Sequence, residues 1–135
     1  MKLGQPVKIL VGLATAWFVL YPFLFFAVWL IMFLGIVFFA STASGSSAEA
    51  PFPFFILPFF AIFPLHFLTI FLYFGLIAFY LIHVIKNTTG SETVRIILGL
   101  GNFFMPFVAM PIYYYLFVWR DQPPDWARAP APPAR

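Results

Sequence analysis

The sequence has no cysteine and few charged residues, and these two absences exclude several classes of site. Without cysteine there are no disulfides and no thiolate metal sites. Four residues are acidic, Glu49, Glu92, Asp121 and Asp125, and their positions place no pair for acid–base catalysis. The chain also has no glycine-rich phosphate loop, no H-E-x-x-H motif and no nucleophile elbow. We therefore expect that the protein is not an enzyme.

Apolar residues make up most of what is present. Of the 135 residues, 64% are hydrophobic and 8% are charged, and the mean hydropathy is +1.01. A soluble domain of this size has no means of covering so much apolar surface, so the composition predicts an all-α integral membrane protein with a single membrane domain over residues 1–135. The seven Lys and Arg residues lie near the ends of apolar runs, which indicates a role in membrane topology and not in nucleic-acid binding.

Three apolar stretches predict three transmembrane helices. The first covers residues 9–40, and as a helix it is longer than a bilayer core of roughly 30 Å needs. We expect protein to cover part of this excess. The second predicted helix covers residues 64–86 and the third covers residues 91–119. Residues 120–135 are a proline-rich tail with too few apolar residues to fold alone.

A phenylalanine-rich segment separates the first two predicted spans. Residues 41–63 begin as a small polar loop, and Pro51, Pro53, Pro58 and Pro64 then follow among phenylalanines. Prolines at this spacing disfavour one regular helix. The segment is also too apolar to lie in water, so the pattern predicts a proline-broken re-entrant or interfacial segment before the second span.

The basic residues predict an orientation. Lys2 and Lys8 precede the first span, Lys86 and Arg95 lie in the turn between the second and third spans, and the first loop has neither Lys nor Arg. The positive-inside rule therefore places the N-terminus and the second turn in the cytoplasm. Three spans then place the tail outside.

The second predicted helix has a polar stripe. At 100° per residue, His66, Thr69, Tyr73 and Tyr80 lie on one face, and His83 lies about 60° further round. Hydroxyl and imidazole groups are costly against lipid, so we expect the stripe to pack against protein. A second interpretation makes His66 or His83 an axial ligand of a haem or a chlorophyll.

Two further positions predict close packing of helices. Asn102 is the clearest polar residue inside the third helix, and Pro106 lacks the N–H that would bond its carbonyl. We expect Asn102 to face the second helix near Tyr80. Gly12 and Ala16 form a small-xxx-small pair that allows another helix to approach. A different interpretation of the proline-broken third helix is a transport or gating site.

A family resemblance is confined to the stretch from Tyr80 to Arg120. The residues that show it are His83-Val84-Ile85-Lys86-Asn87, Gly101-Asn102, Met110-Pro111-Ile112-Tyr113-Tyr114-Tyr115 and Trp119-Arg120. This stretch resembles the two-helix hairpins of short uncharacterised bacterial membrane proteins, and also the N-terminal membrane hairpin of cardiolipin-synthase-like phospholipase D proteins. The catalytic His-x-Lys-x4-Asp motif of the latter is absent, because two residues separate His83 from Lys86. The resemblance implies a membrane module of a bacterial cytoplasmic membrane without phospholipase activity.

Three functions are compatible with this sequence. The leading hypothesis is a non-catalytic accessory or structural subunit whose partners are lipid and the other subunits of a larger membrane complex. No cofactor is predicted for it. The alternatives are a haem- or chlorophyll-binding subunit of a redox or photosynthetic complex, and a small transporter or channel component.

Overall fold

The computed structural model describes residues 3–43 and 52–129, and every regular element within these ranges is helical, as expected. The helices are α1 (Gln5–Ala43), α2 (Phe52–Lys86), α3 (Glu92–Phe104) and α4 (Pro106–Tyr113). A π-helical segment, Tyr114–Trp119, follows α4, and a single 3-10 turn covers Asp125–Ala127. Residues 44–51 of the predicted first loop and residues 130–135 of the tail lie outside the described residues.

The chain groups into two compact units, where the sequence suggested one domain. Unit 1 consists of Met1–Val19 and Leu72–Arg135, and unit 2 consists of Leu20–Phe71. Within the described ranges two helices, Gln5–Ser41 and Phe60–Lys86, are long and apolar enough to cross a membrane. They correspond to the first two predicted spans.

In unit 1, α1 buries one face against the rest of the unit. Lys8, Val11, Thr15 and Phe18 are all buried. They recur every three or four residues, which is the spacing of one side of an α-helix. The expectation that protein covers part of the first helix is confirmed over these turns.

The prolines of the phenylalanine-rich segment do not interrupt α2. The helix runs from Phe52 through Pro58 and Pro64 to Lys86, so the prediction of a proline-broken segment over 52–63 is wrong. Each proline costs one backbone hydrogen bond, at Phe54 and Phe60, four residues earlier. Continuing the helix still satisfies the other backbone groups, and an irregular apolar segment would leave many of them unpaired.

The predicted single third helix over 91–119 is also wrong, because the chain bends sharply at Met105. Met105 has φ −139° and ψ 58°, and Pro106 begins α4. A residue before proline is disfavoured in the helical region, which accounts for the break at this position. On the two sides of the break, a Cβ built on Gly101 lies 2.9 Å from the Cβ of Ala109. A straight helix would separate these positions by about 12 Å.

The bend makes a helical hairpin of residues 92–119. The segments that precede and follow the hairpin are joined by backbone hydrogen bonds. Gly90 and Arg128 form an isolated antiparallel bridge. The N–H of Ser91 donates to the carbonyl of Ala127 at 2.8 Å, and that of Ala129 donates to Thr89 at 3.1 Å. The chain therefore enters and leaves the hairpin at the same end of unit 1.

The described part of the tail lies beside the start of α1. The Nζ of Lys8 is 2.7 Å from Oδ1 of Asp121. The start of α1 and residue 121 therefore lie at the same end of unit 1, and the predicted orientation, with the N-terminus inside and the tail outside, stays a prediction. We call this end of unit 1 the basic end, because all basic residues of the described ranges lie there, namely Lys8, Lys86, Arg95, Arg120 and Arg128.

The hairpin presents apolar side chains on its outside. Those near the bend are Phe103, Phe104, Met105, Phe107 and Val108, and Phe104 is the most exposed of the hairpin's large apolar side chains. Three consecutive side chains of the π-helical segment, at positions 116–118, are nevertheless buried. Consecutive buried positions do not fit the narrow face of an α-helix, and the wider π turn brings them inward together.

Candidate functional site

The polar stripe of α2 contacts α1 in each unit. In unit 1 the hydroxyls of Tyr80 and Thr15 are 2.6 Å apart, and the Tyr73 ring stacks on Phe18 with centroids 5.0 Å apart. Tyr80 is fully buried. The contacts agree with the expectation that the stripe faces protein. Thr15 was not singled out from the sequence, although Thr15 and Tyr21 are the two hydroxyl residues of the run 9–40.

In unit 2 the stripe continues with His66 and Thr69. The Nδ1 of His66 is 2.9 Å from the hydroxyl of Tyr21 in α1, and the rings of Tyr21 and Phe25 lie 5.7 and 5.4 Å from the imidazole. The hydroxyl of Thr69 donates to the carbonyl of Leu65 in its own helix at 2.8 Å. His66 is therefore oriented by a hydrogen bond through one ring nitrogen.

His83 faces the hairpin and lies away from the polar stripe. Its Nδ1 is 2.9 Å from the hydroxyl of Tyr113, and the Phe79 and Tyr113 rings lie against the imidazole. The exposed fraction of His83 is 1%. Its Nε2 is enclosed and has no hydrogen-bond partner in the described part of the chain. Binding a planar macrocycle at His83 would require these rings to move.

The His83–Tyr113 pair gives a testable stability prediction. In Tyr113→Phe the buried Nδ1 of His83 loses its partner, and we expect the free energy of unfolding to fall by about 1–3 kcal/mol. Tyr115→Phe is the matched control, since Tyr115 is exposed, and its change should stay within about 0.5 kcal/mol. Reversible unfolding in mixed micelles measures both. Equal losses would show that the pair adds no specific stability.

Asn102 is buried inside unit 1, and its predicted position facing α2 near Tyr80 stays a prediction. It is fully buried, and neither its Oδ1 nor its Nδ2 has a hydrogen-bond partner among the described residues. The hydroxyl of Tyr80 is hydrogen-bonded to that of Thr15. Gly99, one turn earlier on α3, contacts Val84 of α2. The buried Asn102 amide has the polar character of sites that hold internal water.

Gly12 allows close packing as expected, but Ala16 takes no part in it. A Cβ on Gly12 would collide with the hydroxyl of Tyr114, which donates to the carbonyl of Lys8 at 3.0 Å. Ala16 is exposed. The side chain that approaches Gly12 therefore comes from the end of the hairpin, at the junction of α4 and the π-helical segment.

A partly enclosed cleft of about 170 Å³ opens at the basic end. Its lining includes Lys8, Asn87, Thr89, Phe117, Arg120 and Asp121. Lys8 donates to Asp121 at 2.7 Å and to the carbonyl of Trp119 at 3.2 Å, with its side chain only 10% exposed. Sequence reasoning used Lys8 for topology alone, and no local pattern indicated that it would bind the tail.

The side-chain oxygen of Asn87 stabilises the turn after α2. Its Oδ1 accepts hydrogen bonds from the N–H of Thr89 at 3.0 Å and from the Thr89 hydroxyl at 2.7 Å. Its Nδ2 is buried beside the hydroxyl of Tyr113 and makes no well-aligned hydrogen bond within the described ranges. Arg120 lies at the other side of the same cleft, where its Nη2 donates to the Tyr115 hydroxyl at 2.8 Å and its guanidinium covers the ring.

The described residues contain no group of three or more His, Asp or Glu side chains close enough to hold a metal ion. Comparison of the chain with protein-family models, with curated proteins and with solved structures finds no match in any of the three.

Proposed function

We propose that the chain is an integral membrane protein with two spans, α1 and α2, and a hairpin that enters the membrane from the basic end and returns to it. The exposed apolar side chains around Met105 favour lipid or protein contact at the bend. Each leg of the hairpin is roughly 20 Å long, too short to cross a core of about 30 Å.

The distribution of charge supports one orientation for this arrangement. Between Lys8 and Lys86 the sequence contains no Lys or Arg at all. Two spans therefore leave every basic residue on one side and the first loop without any. The positive-inside rule then places the basic end in the cytoplasm, and the resemblance to bacterial hairpins favours the cytoplasmic membrane of a bacterium.

Within that membrane, we propose that the protein is an accessory or structural subunit of a larger complex. The observation that supports this is the exposed surface of α1 beyond Tyr21. No side chain from position 22 to position 41 is buried. The apolar run 9–40 is about 48 Å long, and even a tilt of about 40° leaves about 37 Å along the membrane normal. This exceeds the core of about 30 Å, and unit 1 covers one face of the run only as far as Phe18, in the turn before Tyr21.

The exposed surface also has a shape suited to a protein partner. The rings of Phe26, Trp29 and Phe33 stack along one side of α1, with centroids 6.3 and 5.6 Å apart. Trp29 and Phe33 are about half exposed. Rigid aromatic side chains are enriched where membrane and interface surfaces require a fixed shape.

Substitution of Trp29 distinguishes a protein partner from lipid. After solubilisation in mild detergent, native separation and mass spectrometry should find the wild-type chain in a stoichiometric assembly. Trp29→Leu keeps an apolar surface that lipid accepts equally well, but it changes the shape of that surface. If Trp29 is a binding hot spot, its loss weakens the interface by about 2 kcal/mol, and we expect at least a tenfold loss of assembled protein. Trp126→Leu, at an exposed tail position, should leave assembly unchanged. Recovery of wild-type protein only as a free monomer would refute the proposal.

His66 supports a second candidate, a subunit that binds a haem or a chlorin. A ligating histidine commonly has its other ring nitrogen fixed by a hydrogen bond, and Nδ1 of His66 has such a bond to Tyr21. The described fold brings no second histidine to this position, so the other axial ligand would come from a partner or a second copy. An absorption band in the native assembly that disappears in His66→Ala and persists in His83→Ala would support this candidate. A colourless assembly would reject it.

A further inference from the structure

We propose that the cleft at the basic end binds the phosphate of an anionic phospholipid. This inference rests on the proposed membrane placement, which puts the cleft at the boundary between lipid and cytoplasm. The exposed aromatic side chains Tyr115 and Trp119 lie beside it, at the level where lipid headgroups are found.

Three side chains of the cleft have N–H groups that the described hydrogen bonds do not use. A lysine ammonium has three N–H groups, and Lys8 uses one on Asp121 and one on the Trp119 carbonyl. The Nδ2 of Asn87 is buried beside the hydroxyl of Tyr113, which also pairs with Nδ1 of His83, and it makes no well-aligned hydrogen bond within the described residues. Arg120 uses one of its five N–H groups on Tyr115. Phosphate oxygens supply the acceptors that these three side chains lack.

Two of these side chains, Lys8 and Asn87, are buried, so water does not readily reach their unused N–H groups. Lys8 is 8% exposed and Asn87 is 2% exposed, so water satisfies them poorly. A buried amide N–H without a well-aligned acceptor is costly, and a ligand that supplies an acceptor to Asn87 recovers that cost, whereas Lys8 contributes its charge and its third N–H group. Lys8 also differs from a mobile surface lysine, because two hydrogen bonds fix the position of its ammonium group.

The charge of the basic end favours an anionic lipid over a zwitterionic one. Five basic residues lie there in the described ranges, against three acidic residues, Glu92, Asp121 and Asp125. The headgroup of phosphatidylglycerol adds only negative charge to this surface. Phosphatidylcholine would bring a quaternary ammonium next to Lys8 and Arg120, which opposes binding.

The apolar wall of the cleft fits a lipid better than free phosphate. Leu3, Phe117 and Val118 line the same space as the donors. Inorganic phosphate leaves this wall uncovered, whereas the glycerol and upper acyl groups of a phospholipid cover it. The site therefore combines a charged end and an apolar end, as an amphipathic ligand does.

The test uses the purified full chain in mild detergent. Phosphatidylglycerol, phosphatidylcholine with the same acyl chains and inorganic phosphate are added separately, and the thermal midpoint is measured. We expect saturating phosphatidylglycerol to raise Tm by roughly 5 °C and the other two additives to have less than a third of that effect. Equal shifts for both lipids would overturn the proposal. An equal shift with inorganic phosphate would assign the site to free phosphate.

Two variants locate the effect in the cleft. Asn87→Asp keeps the oxygen that Thr89 needs and replaces the buried NH₂ group with a carboxylate oxygen, so it should abolish most of the lipid-dependent shift. Arg120→Gln changes an exposed side chain and should at least halve the shift without unfolding the protein. Lys86→Gln, which removes a cation outside this cleft, should keep it. A full shift in both Asn87→Asp and Arg120→Gln would refute the site.

The experiment also separates failure of the lipid site from failure of the proposed placement. A chain released from membranes by alkaline carbonate would contradict integral membrane placement itself. A chain that resists carbonate and shows no preference for phosphatidylglycerol would contradict only the lipid site.

Discussion

Single cysteines introduced by Gln5→Cys and Gln122→Cys will be labelled from the same side of the membrane, and one introduced by Ser41→Cys from the opposite side. All three positions are exposed, and the natural chain has no cysteine to interfere. The expected result follows from the pairing of Lys8 with Asp121, which brings residues 5 and 122 to the same end of unit 1. A membrane-impermeant maleimide applied to sealed right-side-out and inverted vesicles measures the sidedness.

The effect should be close to all-or-none, because the reagent reacts with the thiolate in water and does not cross the bilayer. Phe104→Cys provides an internal comparison. Its side chain is 83% exposed and lies next to the bend of the hairpin. If lipid surrounds the bend, this cysteine will react poorly from both sides until detergent is added. Labelling of positions 5 and 122 from opposite sides would restore the three-span topology and contradict the hairpin.

The long apolar helices were predictable from the sequence because hydropathy over 20 or more residues leaves few alternatives. The run 9–40 lies inside α1, and the predicted end of the second helix at Lys86 is the observed end of α2. These features depend on local composition, and no distant contact has to be known. The polar stripe was predictable for the same reason, because Tyr73 and Tyr80 lie on one face by helix geometry alone.

Proline was a poor guide to where helices end in this chain. Pro58 and Pro64 lie inside α2, whereas Pro106 follows a sharp break. The residue type is the same, so the difference comes from the surroundings. At Pro106 the reversed direction is supported by contacts that are distant in sequence, such as the bridge between Gly90 and Arg128. No pattern within a short window contains that information.

The partners of the candidate site residues were missed for a related reason. His66 and His83 were recognised as unusual, but Tyr21 and Tyr113, which bind them, lie on other helices. Pairing them requires the register between helices. Lys8 and Asp121 are 113 positions apart, and each has an ordinary interpretation alone, as a topology signal and as a tail residue.

Gly101→Leu will open the hairpin and lower the free energy of unfolding by about 1–3 kcal/mol, the usual cost of overpacking. The Cβ position of Gly101 lies 2.9 Å from the Cβ of Ala109, closer than two carbon atoms can approach without strain. Both atoms are fixed to helix backbones, so a rotation of a side chain cannot relieve the clash. The legs α3 and α4 must separate, and the buried Asn102 beside this contact becomes more accessible.

Gly75→Leu is the matched control, because the same substitution occurs in a helix with open space around it. No atom lies within 4 Å of the Cβ position at Gly75. Leucine also favours helix more than glycine does, so we expect unchanged stability or a gain of up to about 1 kcal/mol. Reversible unfolding by titration with dodecyl sulfate in mixed micelles measures both variants against wild type. If Gly101→Leu is as stable as Gly75→Leu, α3 and α4 do not approach each other at this position, and residues 92–119 form a straighter and longer element than the hairpin.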